Sequence, residues 1–157
     1  VISCVGGTDD LNAGQAIDRI GVRLGLHFPC GPQLEKLAGN LPGGNPRVCV
    51  RGLHCNLSGL ENQAETMLLA GKEPAEIAAY TLNFIEATLQ KLTENALSAY
   101  GNLPVLYAGG VMSNQRIRNA LSKRFDAAFA EPQFSSDNAA GIALLCRRRD
   151  TEETNGN

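Results

Sequence analysis

The sequence predicts an α/β domain, and three stretches carry the prediction. Leu103-Pro-Val-Leu-Tyr-Ala108 is an apolar run that reads as a short buried strand; it breaks at Gly109 and Gly110 and gives way to a helical pattern through Ile117 and Leu121. Arg47-Val-Cys-Val-Arg51 alternates its side chains, as does the run through Asn56-Leu57, and the two predict an antiparallel hairpin with His54 near its end. From Ala75 to Tyr100 the apolar positions Ile77, Phe84, Ile85, Leu89, Leu92 and Ala96 keep helical period for about seven turns, which marks one core-facing stripe.

Composition bounds what such a domain can be. With 157 residues, 43% of them hydrophobic, the chain suits one domain with a real core. Its net charge of −2 gives no overall basic field, so a nucleic-acid partner would have to be held by a local patch or by other subunits. The five cysteines are odd in number and include no CxxC pair, which argues against a zinc knuckle and against a disulfide framework and favours a reducing compartment. No apolar run approaches the roughly 18 residues of a membrane span, and the first residues lack the charged and apolar regions of a signal peptide. The expectation is a cytoplasmic protein with no membrane partner.

Taken in order, Val1-Ile-Ser-Cys-Val5 reads as a short strand in need of sheet partners from upstream or from another polypeptide. Gly6-Gly-Thr-Asp-Asp10 is a turn and helix-cap signal, and Ala16, Ile17, Ile20 and Leu24 give a helical stripe to about Gly25. On a second face of that helix Gly14, Asp18, Gly21 and Gly25 fall four, three and four apart and so line up along one side. Interior glycines cost a helix about 1 kcal/mol each, so this face fits close approach by a ligand or another backbone, or else tight packing beside a solvated Asp18. Phe28-Pro-Cys-Gly-Pro32 is a rigid turn into a short helix over Gln33–Ala38, where Glu35 near the start suits the helix dipole. Residues 39–46 are a Gly/Pro/Asn loop; Ser58 opens a helix to about Ala70; Gly71 to Pro74 stop it and start the long helix, which ends at Gly101-Asn102.

The turn after the central strand is the clearest candidate site. Two glycines clear space for a ligand, and the helix they open offers unpaired N–H groups, an arrangement suited to a nucleotide and equally to a plain tight turn. Ser113 or Asn114 would cap the helix. Its cations Arg116, Arg118, Lys123 and Arg124 form either a solvated face or the nearest thing to a nucleic-acid patch. Ala127–Ala130 reads as a further strand, residues 131–135 as a loop, and Ser136 onward as a last helix, with Asp137 placed as a cap or a metal ligand. The charged segment 150–157 is expected to be disordered.

These residues resemble a known family. Asp10-Leu-Asn-Ala-Gly-Gln-Ala-Ile-Asp-Arg19, followed by Pro29-Cys-Gly-Pro-Gln-Leu-Glu-Lys36, is similar to the pattern DDAAGEAFDK…PGGP..EKLA. Asn56-Leu-Ser-Gly-Leu60 resembles FSFSGL, Ala108-Gly-Gly-Val-Met-Ser-Asn114 with Arg118 resembles AGGVAAN..LR, and Ser135-Ser-Asp-Asn-Ala-Ala140 resembles CTDNAA. The family is the TsaD/Gcp glycoprotease-like group (peptidase M22), the tRNA N6-adenosine threonylcarbamoyltransferases. The resemblance implies the actin-like ATPase (ASKHA, ribonuclease H-like) fold, here a C-terminal lobe with inserted helices over residues 1–149. It implies that Asp18, Gly31 and Glu35 hold the ribose and neighbouring parts of an adenylate, that Gly109, Gly110 and Asn114 close over the nucleotide, and that Asp137 ligates a metal. The cofactors implied are an adenine nucleotide (ATP or threonylcarbamoyl adenylate) and a divalent metal, iron, zinc or magnesium. The partners implied are tRNA and TsaB-like and TsaE-like proteins.

The departures matter too. The family's other metal ligands are histidines of an HxxxH motif in an N-terminal half, and His27 and His54 match neither; the SGGHT-type segment is missing as well. The expectation is therefore a lobe without its N-terminal metal-binding half, unable to complete the metal site, since one carboxylate makes a poor cation site. Leu11 stands for the second Asp of DDAAG, Gln15 for its Glu and Cys30 for the first Gly of PGGP. These changes keep two alternatives open, a catalytically silent scaffold or dimerisation subunit and a sugar-kinase-like ATPase lobe. A protease reading has neither a nucleophile–base pair nor HExxH behind it.

Overall fold

The computed structural model describes residues 2–131 together with Gln133 and Arg147. Along these residues run β1 (Gly7–Thr8), α1 (Ala13–Arg23), α2 (Gly31–Ala38), β2 (Cys49–Arg51), β3 (His54–Asn56), α3 (Ser58–Leu69), α4 (Pro74–Tyr100), β4 (Val105–Tyr107), a 3-10 turn over Gly110–Ser113, α5 (Gln115–Arg124) and β5 (Ala127–Phe129). The hairpin is antiparallel as expected, with Val50 opposite Cys55 and Arg51 opposite His54, and β1 joins it in parallel, Gly7 beside His54. β4 and β5 form a separate parallel pair with Leu106 opposite Ala128.

The core gathers around the first half of α4. Ile77, Ala78, Ala79, Thr81, Leu82, Phe84 and Ile85 are all buried, so this stretch is covered on nearly every side rather than along one stripe. Helices α1, α2, α3 and α5 press Ile17 and Ile20, Leu34 and Ala38, Leu60 and Ala64, and Ile117 and Leu121 into the same cluster. Thr81 and Thr88 are tolerated inside because each hydroxyl donates to the carbonyl four residues back, at 2.8 Å. Burial thins along the second half of α4: Leu89 and Leu92 are only half-buried, and Thr93 is hydrogen-bonded to Tyr107 at 2.6 Å.

Two local expectations are corrected. The apolar run at the start forms no strand over residues 2–6, and Ile2 and Val5 are exposed; the backbone that pairs is Gly7–Thr8, where Gly7 N–H donates to Leu53 O at 3.0 Å. Gly6 is needed there, because a Cβ would lie 2.2 Å from Leu53 O. α2 begins at Gly31, two residues earlier than the sequence pattern indicates, since Pro32 fits the first turn of a helix and costs no hydrogen bond there. The loop over 39–46 is held rather than loose: Asn83 Nδ2 donates to Gly44 O at 2.7 Å and Arg116 to Leu41 O at 2.9 Å. The last expected helix and the tail over 150–157 lie outside the described residues.

Candidate functional site

The site is built where β4 ends. Gly109 has φ 109°, a conformation that side chains with a Cβ rarely adopt, and it turns the chain sharply into the 3-10 turn. Asn114 then caps α5: its Oδ1 accepts from Ile117 N–H at 3.0 Å. Of the two capping candidates the structure selects Asn114, which is buried, and its Nδ2 has no acceptor among the described residues.

Facing this turn are the start of α2 and one side of α1. They enclose a cleft of about 510 Å³ whose walls include Gly14, Ile17, Asp18, Gly31, Gly110 and Val111. A smaller recess of about 230 Å³ shares most of these walls and adds Glu35 and Asn114. A Cβ placed on Gly31 or Gly110 would meet no described atom within 4 Å, so both glycines border open space. The structure thus brings Asp18, Gly31, Glu35, Gly110 and Asn114 to one place, with Gly109 at the hinge of the turn. Asp137 lies outside the described residues.

The two carboxylates are not idle. Asp18 Oδ1 accepts from Cys30 N–H at 2.8 Å, which locks the turn before α2 onto α1. Glu35, reaching from α2, accepts the N–H groups of Gln115 (2.8 Å) and Arg116 (3.4 Å) at the start of α5. The glycine face of α1 therefore divides by neighbour. Gly14 and Asp18 border the cleft; Gly21 packs under Cys30, where a Cβ would sit 2.3 Å from the Cys30 Cβ; Gly25, at φ 81°, ends the helix, with Leu26 N–H donating to Gly21 O at 2.9 Å. Burial pushes the Cys30 thiol up, and the nearby Asp18 charge adds to this, so Cys30 stays protonated and acts as packing rather than as a nucleophile.

Sequence reasoning missed the role of Asp10. It reads as a cap for the following helix, yet its carboxylate accepts from Leu57 N–H (2.8 Å) and Ser58 N–H (3.0 Å) and so caps α3 from a distance. Some loss of solvent pushes the exposed Asp10 carboxyl up, but bonds from the Ser58 side chain and from the N–H groups of Leu57, Ser58 and Leu11 outweigh this and hold it well below the usual range. The helix cations also find work: Arg118 stacks 4.9 Å over Phe129, Arg124 pairs with Glu94, and Arg116 holds the 39–46 loop. His54 pairs with Asp9 at 2.8 Å on the surface. Among the described residues no group of three or more His, Cys, Asp or Glu could hold a metal ion, and no helix is long and apolar enough to cross a membrane.

A mixed α/β chain with its cleft at a glycine turn between a parallel strand and a helix is the class that fold and site define. Comparison with known proteins narrows it. The TsaD family model, described as tRNA N6-adenosine threonylcarbamoyltransferase, matches residues 1–144. The tRNA N6-adenosine threonylcarbamoyltransferase of a Thermus thermophilus strain is 36% identical over 92% of this chain and 46% of its own length. That of Thermococcus sibiricus is 34% identical over 88% of the chain and 45% of its own length. A probable bifunctional tRNA threonylcarbamoyladenosine biosynthesis protein of Methanospirillum hungatei is 35% identical over 90% of the chain and 28% of its own. The chain belongs to the TsaD family, and it spans less than half the length of these relatives.

Proposed function

We propose that this chain supplies the adenylate cleft of a tRNA N6-adenosine threonylcarbamoyltransferase, as a lobe of the actin-like ATPase fold. The observation that carries the reading is convergence: Asp18, Gly31, Glu35, Gly110 and Asn114 come from three separate stretches of sequence and border two recesses that share the walls at Ile17, Gly31, Gly110 and Val111. Apolar walls at Ile17 and Val111 suit the faces of a purine, and the few polar groups suit its sugar and edge. Asp18, half-buried and with one oxygen committed to Cys30, offers the other to ribose hydroxyls. Gly109 and Gly110 let backbone approach the bound nucleotide.

In the reaction the exocyclic amine of a tRNA adenosine forms a bond to the carbamoyl carbon of threonylcarbamoyl adenylate. The bond from that carbon to the phosphate oxygen breaks, AMP leaves, and the amine loses a proton. This lobe's part is to bind and orient the adenylate, which converts an encounter into a positioned attack. The family's divalent metal does not fit the described residues, which hold no group of three or more His, Cys, Asp or Glu able to bind it. TsaB-like and TsaE-like proteins and tRNA are the partners this reading brings.

One observation favours a second reading, a catalytically silent scaffold: Leu11, in place of the second Asp of the family pattern, is buried in the core rather than presented to a ligand. A transfer assay separates the two. In a full-length protein carrying this lobe, Asp18→Ala lowers transfer at subsaturating adenylate by roughly tenfold or more, the scale of a hydrogen bond to a charged group, in a protein that still folds but melts lower because Cys30 N–H loses its acceptor. Wild-type transfer at background supports the scaffold, and transfer untouched by Asp18→Ala overturns the ribose assignment.

A further inference from the structure

We infer that the outward face of the β2–β3 hairpin, which carries Arg47 and Arg51, is a contact surface for the sugar–phosphate backbone of RNA. The inference rests on the tRNA reading proposed above and deepens it by giving the RNA a place on this chain. With a net charge of −2 the chain has no overall basic field, so any RNA contact it makes has to be local. The helix cations are largely committed. On α5, Arg116 donates to Leu41 O, Arg118 lies over Phe129 and Arg124 pairs with Glu94, while Arg19 and Arg23 of α1 pair with Glu61 and Glu65. Arg47 and Arg51 differ: neither has a hydrogen bond, ion pair or ring contact among the described residues.

Alternation puts the two on one face. Val48 and Val50 pack toward the core, and Arg47, Cys49 and Arg51 are exposed on the other side. At about 3.3 Å per residue the arginines stand about 13 Å apart, far enough for each guanidinium to take its own phosphate in a forked pair of hydrogen bonds. His54 lies opposite Arg51 but is already paired with Asp9. No aromatic side chain on this face offers a base a stacking platform, so the contact is to backbone and not to sequence. The face is also held still. Asn83 Nδ2 donates to Gly44 O before β2, at 2.7 Å, and Asn95 Nδ2 to Gly52 O in the hairpin turn, at 2.6 Å, which fastens both ends to α4. Its backbone is therefore ordered before a partner arrives, and this lowers the cost of binding. Direction fits as well. β1 and β3 are parallel and lead into α1 and α3, and β2 runs the other way with Cys49 opposite Asn56, so Arg47 lies toward the end of the sheet where those helices begin. The first turns of α1 carry Gly14 and Asp18 of the cleft.

The test is fluorescence anisotropy of two labelled RNA stem-loops of different sequence with the intact 157-residue chain, wild type beside Arg47→Ala, Arg51→Ala and the double variant, over about 50–200 mM salt. Lys36→Ala and Lys123→Ala are the references, since both lysines also lack a partner among the described residues but stand on α2 and α5. Each arginine variant is expected to weaken both stem-loops by roughly twofold to fivefold and to make the plot of log affinity against log salt shallower by about 0.7–0.9. The lysine variants are expected to change neither. Unchanged affinity and slope in the double variant overturns the inference, and new self-association of that variant would then leave the arginines as guards of an open sheet edge. A larger effect from Lys123→Ala than from the double variant moves the surface to α5 and overturns it too. So does arginine-dependent capture on phosphatidylserine vesicles without RNA binding, or a folded wild-type chain that binds neither stem-loop at about 50 mM salt. Titration with AMP separates this surface from the cleft: RNA binding absent with AMP binding present rejects only the hairpin surface, and arginine-dependent RNA binding without AMP binding rejects only the adenylate reading.

Discussion

Gly21 and Gly110 look alike in the sequence, and what stands opposite each sets them apart. A Cβ at Gly21 would be driven into Cys30, at 2.3 Å from its Cβ and 2.7 Å from its sulfur, whereas a Cβ at Gly110 would meet nothing within 4 Å. Gly21→Ala should accordingly lower stability by about 1–3 kcal/mol, the usual cost of overpacking, visible as a lower melting temperature. Gly110→Ala should melt near wild type and yet bind AMP more weakly, because its methyl group enters the cleft. Equal destabilisation by both would contradict the division. The spacing of Gly14, Asp18, Gly21 and Gly25 showed one helix face, which was legible from period alone. That the face splits into cleft, packing and helix end was not, because the split depends on what packs opposite each residue, Val111 for Gly14 and Cys30 for Gly21, and helical period does not reveal those neighbours.

At the scale of elements, caps decide more than apolar period. Asp10 holds the start of α3, and Asn114 and Glu35 hold the start of α5. The folded pKa of Asp10 lies below its ordinary 3.8, so its contribution is fully present above that value and is lost as pH falls through the lower, folded one. Because the group is exposed and screened, its worth is that of an ordinary cap: Asp10→Ala should cost about 1 kcal/mol at pH 7 in urea denaturation. The difference from wild type should narrow below about pH 4. A difference that stays constant into acid would show that the carboxylate's charge plays no part. Element identities were largely legible, since the hairpin, the long helix and the glycine stops each carry a local signal. The first strand was misread because an apolar run says nothing of which backbone beside it is free to pair, and here that backbone is Gly7–Thr8 beside Leu53–Cys55.

For the molecule as a whole, the cleft depends on bringing residues 14–35 against residues 110–114, and α4, buried along its first half, is the post on which both are mounted. Nothing local in the sequence predicts that meeting; the family resemblance implies it, by assigning Asp18, Gly31, Glu35, Gly110 and Asn114 to one ligand. The membership of the TsaD family and the convergence of these residues now stand on separate grounds. Both support the proposal of an adenylate site whose binding groups lie in this chain. The most direct test is calorimetric titration of the folded chain with AMP, wild type beside Asp18→Ala, with and without a divalent cation. Saturable binding is expected, weakened roughly tenfold or more by Asp18→Ala and the same with and without the cation. A folded wild-type chain that does not bind AMP, or binds it equally well without Asp18, would contradict the proposed adenylate site.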